Sequence, residues 1–176
     1  MSKVWHISDT HLSFLEDGSI RKPMDQRKWS HGVPAYQGYL DKIRDFAQKN
    51  IREEDFTVIT GDITHDMKFE FLFYSLKWLR ENIPGTIVIC RGNHDVGYAK
   101  LKNTLERFHI IDEDEMSSIG PYMFGCYSDH DSKTEDMIAV NNDYVEFGKR
   151  LAVKAGKKRK QAVMISHYPV SAATAE

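Results

Sequence analysis

Four short clusters in this chain carry the kinds of side chain that hold metal ions. Asp9-Thr10-His11 is the first, Gly61-Asp62-Ile63-Thr64-His65 the second, Gly92-Asn93-His94-Asp95 the third and Ser166-His167 the fourth. Carboxylate, imidazole and amide oxygen together suit borderline divalent ions such as Mn²⁺, Fe²⁺, Zn²⁺, Co²⁺ or Ni²⁺. Two such ions about 3.5–4 Å apart clamp both the attacking and the leaving oxygen of a phosphoryl displacement. That chemistry needs a carboxylate whose two oxygens can serve two cations. It also needs a further cationic or protonated group to steady the departing alkoxide.

Something must bring the four clusters together, and the residues before each cluster say what. Lys3–Ser8, Phe56–Thr60, Ile87–Cys90 and Gln161–Ser166 are apolar runs of strand length, and each ends where a cluster begins. In open α/β sheets ligands gather beyond the carboxyl ends of strands. One such coincidence is noise; four describe a site. A further strand is expected over Tyr122–Tyr127.

Helical spacing fills the gaps. Pro34 opens a helix to about Asn50, with Tyr36, Leu40, Ile43, Phe46 and Ala47 on one face. A second runs from about Met67 to Asn82 on a stripe of Phe69, Leu72, Phe73, Leu76 and Leu79, and Pro84-Gly85 ends it. A third is expected over Tyr98–Phe108, with Leu101, Leu105 and Phe108 inward, and a fourth over Tyr144–Gly156. Asp66 is placed to cap the second helix. Strand and helix alternating through the first half predict a parallel α/β unit, with strands and one more helix added in the second half.

Composition bounds the rest. The chain has 176 residues, 41% hydrophobic and 28% charged, with a formal net charge of −2. One domain over residues 1–176 is expected, with no global basic field of the kind that binds nucleic acid. No apolar run approaches the roughly 18 residues of a membrane span, so no membrane partner is expected. Cys90 and Cys126 form no Cys-x-x-Cys pair; Cys90 reads as a small buried hydrophobe in its strand. No disulfide framework follows, and a cytoplasmic protein with free thiols is expected.

The clusters resemble the calcineurin-like metallophosphoesterase superfamily. Its signature runs Asp-x-His, Gly-Asp-x-x-(His or Asp), Gly-Asn-His-(Asp or Glu), a lone His and then Gly-His-x-His. The resemblance implies that Asp9 and His11 bind one metal, that Asn93 and His167 bind a second, and that Asp62 bridges them. It makes His94 the catalytic imidazole that protonates the leaving oxygen. His65 and Asp95 are expected behind these residues, orienting them. Two divalent ions, Mn²⁺ foremost, are the implied cofactors, and the implied reaction is phosphoester hydrolysis by attack of a metal-bound hydroxide. The implied fold is an α/β sandwich of two mixed sheets flanked by helices.

Ile7-Ser8-Asp9-Thr10-His11-Leu12 looks like the phosphodiesterase and nuclease branches of that superfamily. A phosphodiester, nucleotide or nucleic-acid substrate is therefore expected, with a phosphomonoester or phosphoprotein as the alternative. Residues 12–33 leave the first cluster without a clear period and carry Arg21, Arg27, Lys28 and Trp29. This segment is either a substrate-contact lid or a surface insertion. Lys157–Lys160 is either a phosphate contact or a solvated helix end, and Asp112–Glu115 reads as a solvated loop. His6 is taken as structural, and His31, His109 and His130 as surface residues. The signature's Gly-His-x-His does not occur before Glu176. The C-terminal strands of the fold are therefore expected to be missing, with weakened metal binding and self-association through an exposed sheet edge. The rival reading is a binding or regulatory module without hydrolysis.

Overall fold

The computed structural model describes residues 2–8, 10–12, 14–19, 36–64, 68–90, 108–112, 114–127 and 137–166. In chain order these form β1 (Val4–Ile7), α1 (Tyr36–Asn50), β2 (Phe56–Ile59), α2 (Phe69–Asn82), β3 (Thr86–Cys90), β4 (Phe108–Ile111), β5 (Met116–Ile119), β6 (Tyr122–Tyr127), α3 (Met137–Lys157) and β7 (Gln161–Ser166). One sheet has the order β1-β2-β3-β4, the other β5-β6-β7.

The strands β2 and β3 are buried along nearly their whole length because both of their faces are covered. Successive side chains point to opposite faces, and here the alternation divides two cores. Ile59, Ile87 and Ile89 join Leu40, Ala47, Leu72, Leu76 and Leu79 from α1 and α2. Phe56, Val58, Val88 and Cys90 meet Tyr122, Phe124 and Cys126 of β6 instead. The opposite face of β6 packs on α3, where Met123 meets Leu151 and Ala155. A Cβ at Gly125 would stand 2.9 Å from the Phe147 ring and 3.0 Å from a Leu151 methyl, so this glycine sets how closely α3 approaches the sheet. Four layers result: α1 and α2, the first sheet, the second sheet, and α3.

The first sheet departs from the expectation of two mixed sheets. Its three pairings, β1–β2, β2–β3 and β3–β4, are all parallel. The second sheet is mixed, with β5 antiparallel and β7 parallel to β6. β4 and β5 were not legible as strands, since Phe108 falls on a helical stripe and Met116-Ser117-Ser118-Ile119 is no apolar run beside the acidic turn. Phe108 begins β4 rather than ending a helix, because Phe108 pairs with Ile87. Phe46, expected on the inner face of α1, is 51% exposed, with its ring edge-to-face against Trp5. Residues 137–143, left out of the expected helix, extend α3 by nearly two turns.

The cysteines require a correction. Cys90 and Cys126 are bonded to each other, with their Cα atoms 5.6 Å apart. Both are fully buried, so burial as such was legible while the pairing was not. Their partnership depends on the two sheets facing each other, a relation that a separation of 36 residues does not disclose. An argument from free thiols to a reducing cytoplasm therefore does not apply. Closing a loop of that length stabilises a fold by roughly 3–4 kcal/mol in the chain-entropy account. Among the described residues no helix is long and apolar enough to cross a membrane.

At the amino ends of the strands Asp55 joins three of them. Its buried carboxylate accepts from the Lys3 amide at 2.8 Å, the Arg52 amide at 3.1 Å and the Trp5 indole at 3.2 Å. Its carbonyl accepts from the Thr86 amide at 3.0 Å. The Lys3 amide is the largest cause holding this carboxyl below its ordinary range; the Arg52 amide, the indole and the Arg52 guanidinium add to it against the cost of burial.

Candidate metal centre

The candidate ligands His11 and Asp62 stand on the loops that leave β1 and β2. These strands end in register, Ile7 beside Ile59, and the pairing continues beyond them. The Thr60 amide donates to the Ile7 carbonyl at 3.2 Å, the His11 amide to the Asp62 carbonyl at 2.9 Å, and the Leu12 amide to the Ile63 carbonyl at 2.5 Å. The Thr10 hydroxyl donates to the Ile63 carbonyl at 3.3 Å, and Ser75 of α2 donates to the Leu12 carbonyl at 3.3 Å. The two loops are thus laced together before either side chain is considered.

Their backbone is unusual in one respect. His11 has φ 44°, Gly61 φ 92° and Asp62 φ 47°. Glycine adopts such values freely, but each non-glycine residue there costs about 1–2 kcal/mol. The conformation persists because the next residue in each loop is an anchor: Leu12 and Ile63 are buried in the core between the first sheet and its helices. The left-handed residue turns the chain so that the anchor sinks while the polar side chain stays at the sheet end. Strain of this kind gathers at sites where geometry serves function.

The result is an imidazole facing a carboxylate. His11 Nε2 lies 3.9 Å from Asp62 Oδ2, with the side chains 25% and 8% exposed. That is too long for a hydrogen bond. It is within the span that one divalent ion can bridge with bonds of about 2.0–2.2 Å to nitrogen and oxygen. Donor types, spacing and burial therefore fit a metal held by these two residues.

The other candidates are reached only by their strands. Cys90, Ile59 and Ile7 end three neighbouring parallel strands, and the Cys90–Cys126 bond brings the end of β6, with Ser166 beside it in β7, to that same end of the sandwich. Asp9, His65, Asn93, His94, Asp95 and His167 lie outside the described residues, as do Arg21, Arg27, Lys28 and Trp29. So do Asp66, His31 and His130. His6 is exposed and its Nε2 lies 3.0 Å from the Thr60 hydroxyl, a tether at the start of the Asp62 loop. His109 is exposed on β4, as expected of a surface residue.

The basic run belongs elsewhere. Arg159 has φ 53°, its amide donates to the Gly156 carbonyl at 3.0 Å, and the Lys160 amide donates to the Ala155 carbonyl at 2.9 Å. This is a Schellman stop with arginine where glycine is usual. The run precedes β7, whereas the candidate site follows the strand ends, so it is a helix terminus and not a phosphate contact of this site. A groove between residues 14–18 and α2, lined by Phe14, Tyr74 and Trp78, likewise does not include His11 or Asp62.

The sequence profile of the calcineurin-like phosphoesterases matches residues 2–171. The chain belongs to the calcineurin-like phosphoesterase family. Members typically hold two metals; of the candidate ligands in this chain, the described residues contain His11 and Asp62. Among solved structures, the chain is similar to the protein of unknown function AQ665 from Aquifex aeolicus. The two are 20% identical with a TM-score of 0.41, over 97% of this chain and 82% of that one. No curated protein matches the chain.

Three features around the candidate site were not read from the sequence. Thr10 and Ser75 are buried hydroxyls that lace the loops, and the Cys90–Cys126 bond lies at the site end. A polar residue beside an expected ligand was the available signal for Thr10. For Ser75 the signal was a hydroxyl one residue before Leu76 on the apolar stripe of α2.

Proposed function

We propose that this phosphoesterase is a metal-dependent hydrolase of phosphodiester or nucleotide substrates. The observation that carries the proposal is the His11–Asp62 pair, 3.9 Å apart on left-handed backbone at the ends of adjacent strands. When bound, divalent ions supply Lewis acidity toward the phosphoryl oxygens and lower the pKa of water. Asp9 and His11 would hold one ion, Asn93 and His167 the other, and Asp62 would serve both. His94 binds the phosphoryl group and gives a proton to the leaving oxygen; Asp95 and His65 orient the imidazole and the ligands. Arg21, Arg27, Lys28 and Trp29 contact the substrate's phosphate and base. The preference for diesters rests on the Ile7–Leu12 run, which has the form found in phosphodiesterases and nucleases.

The test is Mn²⁺-dependent turnover of bis-p-nitrophenyl phosphate beside p-nitrophenyl phosphate, with Asp62→Asn as control. Faster turnover of the diester, abolished by chelation and by the substitution, is expected. Preference for the monoester would overturn the substrate assignment. Tight Mn²⁺ binding without turnover of either ester would make the chain a binding module.

A further inference from the structure

Positive charge is concentrated at the carboxyl end of α3. Seven of the 24 basic residues, and none of the 26 acidic ones, fall within residues 149–160, so the rest of the chain carries 17 basic residues against 26 acidic ones. A net charge of −2 therefore conceals a strongly polarised molecule. Lys149 is paired with Glu146 at 2.6 Å, and Lys160 donates to the Gly120 carbonyl. The other five, Arg150, Lys154, Lys157, Lys158 and Arg159, are all exposed. Arg150, Lys154 and Lys157 recur at i, i+4 and i+7, which puts them on one flank of the helix. That flank runs for about 10 Å at 1.5 Å per residue, and Lys158 and Arg159 continue it into the turn.

Cations that complement the negative end of a helix dipole account for part of this, in the last turn. They do not account for the row, in which like charges at i, i+3 and i+4 repel and weaken the helix. Nor do they account for Arg159, which at φ 53° bears strain that glycine would not. A polyanion lying along the row would turn the repulsion into attraction and would meet Arg159 as well. A lipid surface fits less well. A helix that lies on a membrane uses its apolar face, and that of α3 is already packed on β6 through Leu151 and Ala155. A nucleic-acid backbone presents one phosphate for about each 3.4 Å of either strand, so the row spans about three of them.

We propose that the carboxyl end of α3 is a binding surface for a polynucleotide backbone, separate from the candidate metal centre. β7 runs from this end of the molecule to the site end, and its six residues span about 20 Å. A nucleic acid held along Arg150, Lys154 and Lys157 reaches the candidate centre only as a polymer; a mononucleotide cannot touch both. The binding surface stands on the charge row alone. That the bound polynucleotide is also the substrate rests on the proposed function.

The experiment is fluorescence anisotropy of a short labelled DNA duplex with the full chain in EDTA, over a range of salt, beside Mn²⁺-dependent turnover of bis-p-nitrophenyl phosphate. The parent is expected to bind with a Kd of about 10⁻⁶–10⁻⁴ M at physiological salt, and log K should fall with log salt by about 0.9 for each phosphate met. Lys154→Gln/Lys157→Gln/Lys158→Gln should bind at least about tenfold more weakly, with that slope reduced by about 2–3, while turnover of the small ester stays within about twofold of the parent. Arg159→Gly should lose affinity several-fold and about one unit of slope although its turn is relaxed. Lys42→Gln/Lys49→Gln/Lys77→Gln removes the same charge from α1 and α2 and should bind as the parent does. Parental affinity in either α3 variant, equal losses in both triple variants, or no binding by the parent at low salt would overturn the inference. Tighter binding to phosphatidylserine vesicles than to the duplex would also overturn it, by assigning the row to a lipid surface. Binding of the duplex as expected, with no turnover of the ester, would overturn the proposed function and leave the surface standing.

Discussion

His11 and Asp62 face each other across 3.9 Å although 51 positions of sequence separate them. Each sits on left-handed backbone, and each is followed by a buried apolar residue that holds the turn in place. The side chain supplies the chemistry; the residue after it supplies the geometry.

Asp62→Asn is expected to lower Mn²⁺ affinity by at least about tenfold and to remove most phosphodiesterase activity. Its circular dichroism should match the parent, because asparagine tolerates the left-handed conformation. Calorimetry and turnover check both. A variant with parental affinity and rates within a few-fold of the parent would show that Asp62 is not a ligand.

Gly85→Ala is expected to be strongly destabilising. Gly85 has φ +79°, and an added Cβ would lie 2.5 Å from the Asp55 carbonyl oxygen and 2.8 Å from that of Arg52. Conformational strain alone costs about 1–2 kcal/mol, and displacing that backbone adds to it. A fall in the urea midpoint with an unchanged m-value is the readout.

Arg159→Gly should work in the opposite direction. With φ 53° at the Schellman position that glycine normally fills, arginine carries strain that glycine lacks. A gain of about 0.5–1 kcal/mol is expected, less than the full strain because glycine also frees the unfolded chain. Metal affinity should not change, since this turn lies at the far end of β7 from the site.

Asp55 predicts an acid-sensitive fold. Its carboxyl is held below the ordinary range in the native state, chiefly by the Lys3 amide, so the native state binds this proton less readily than the unfolded chain does. Its contribution is fully present above the unfolded value near pH 3.9 and is lost as pH falls through the depressed native one. Asp55→Asn should lower the melting temperature at pH 7 and flatten the dependence of stability on pH below about 4. An unchanged acid limb would locate that sensitivity elsewhere.

The long buried runs of β2, β3 and β6 were legible because covered strands need near-continuous apolar sequence, and the stripes of α1 and α2 because 3.6-residue spacing is distinctive. The pairing of His11 with Asp62 was implied by the family signature, but apart from Gly61 the left-handed turns that achieve it are not marked by residue type, since aspartate and histidine take other conformations more readily. β4 was hidden because Phe108 falls on a helical stripe, and β5 because Met116-Ser117-Ser118-Ile119 is no apolar run. Phe46 fits the stripe of α1, yet its position is decided by where the sheet ends, which the helix's own sequence does not encode. The disulfide is the clearest case. Alternation places Cys90 on the face of Val88 and Cys126 on the face of Phe124, but that these two faces are the same interface is a tertiary fact.

The strand order of the first sheet has a kinetic side. Each of its strands lies beside the one before it in the chain, so the sheet grows from one edge, β1, towards the other. During synthesis the chain emerges amino end first. β2 meets β1 already made, β3 meets β2, and β4 meets β3. None waits for sequence still to come, and translation order can serve as assembly order. The second sheet lacks that property on one side: the β7 edge of β6 stays open until α3 and β7 have been made, so the strand that carries Cys126 spends part of its synthesis with one flank unpaired.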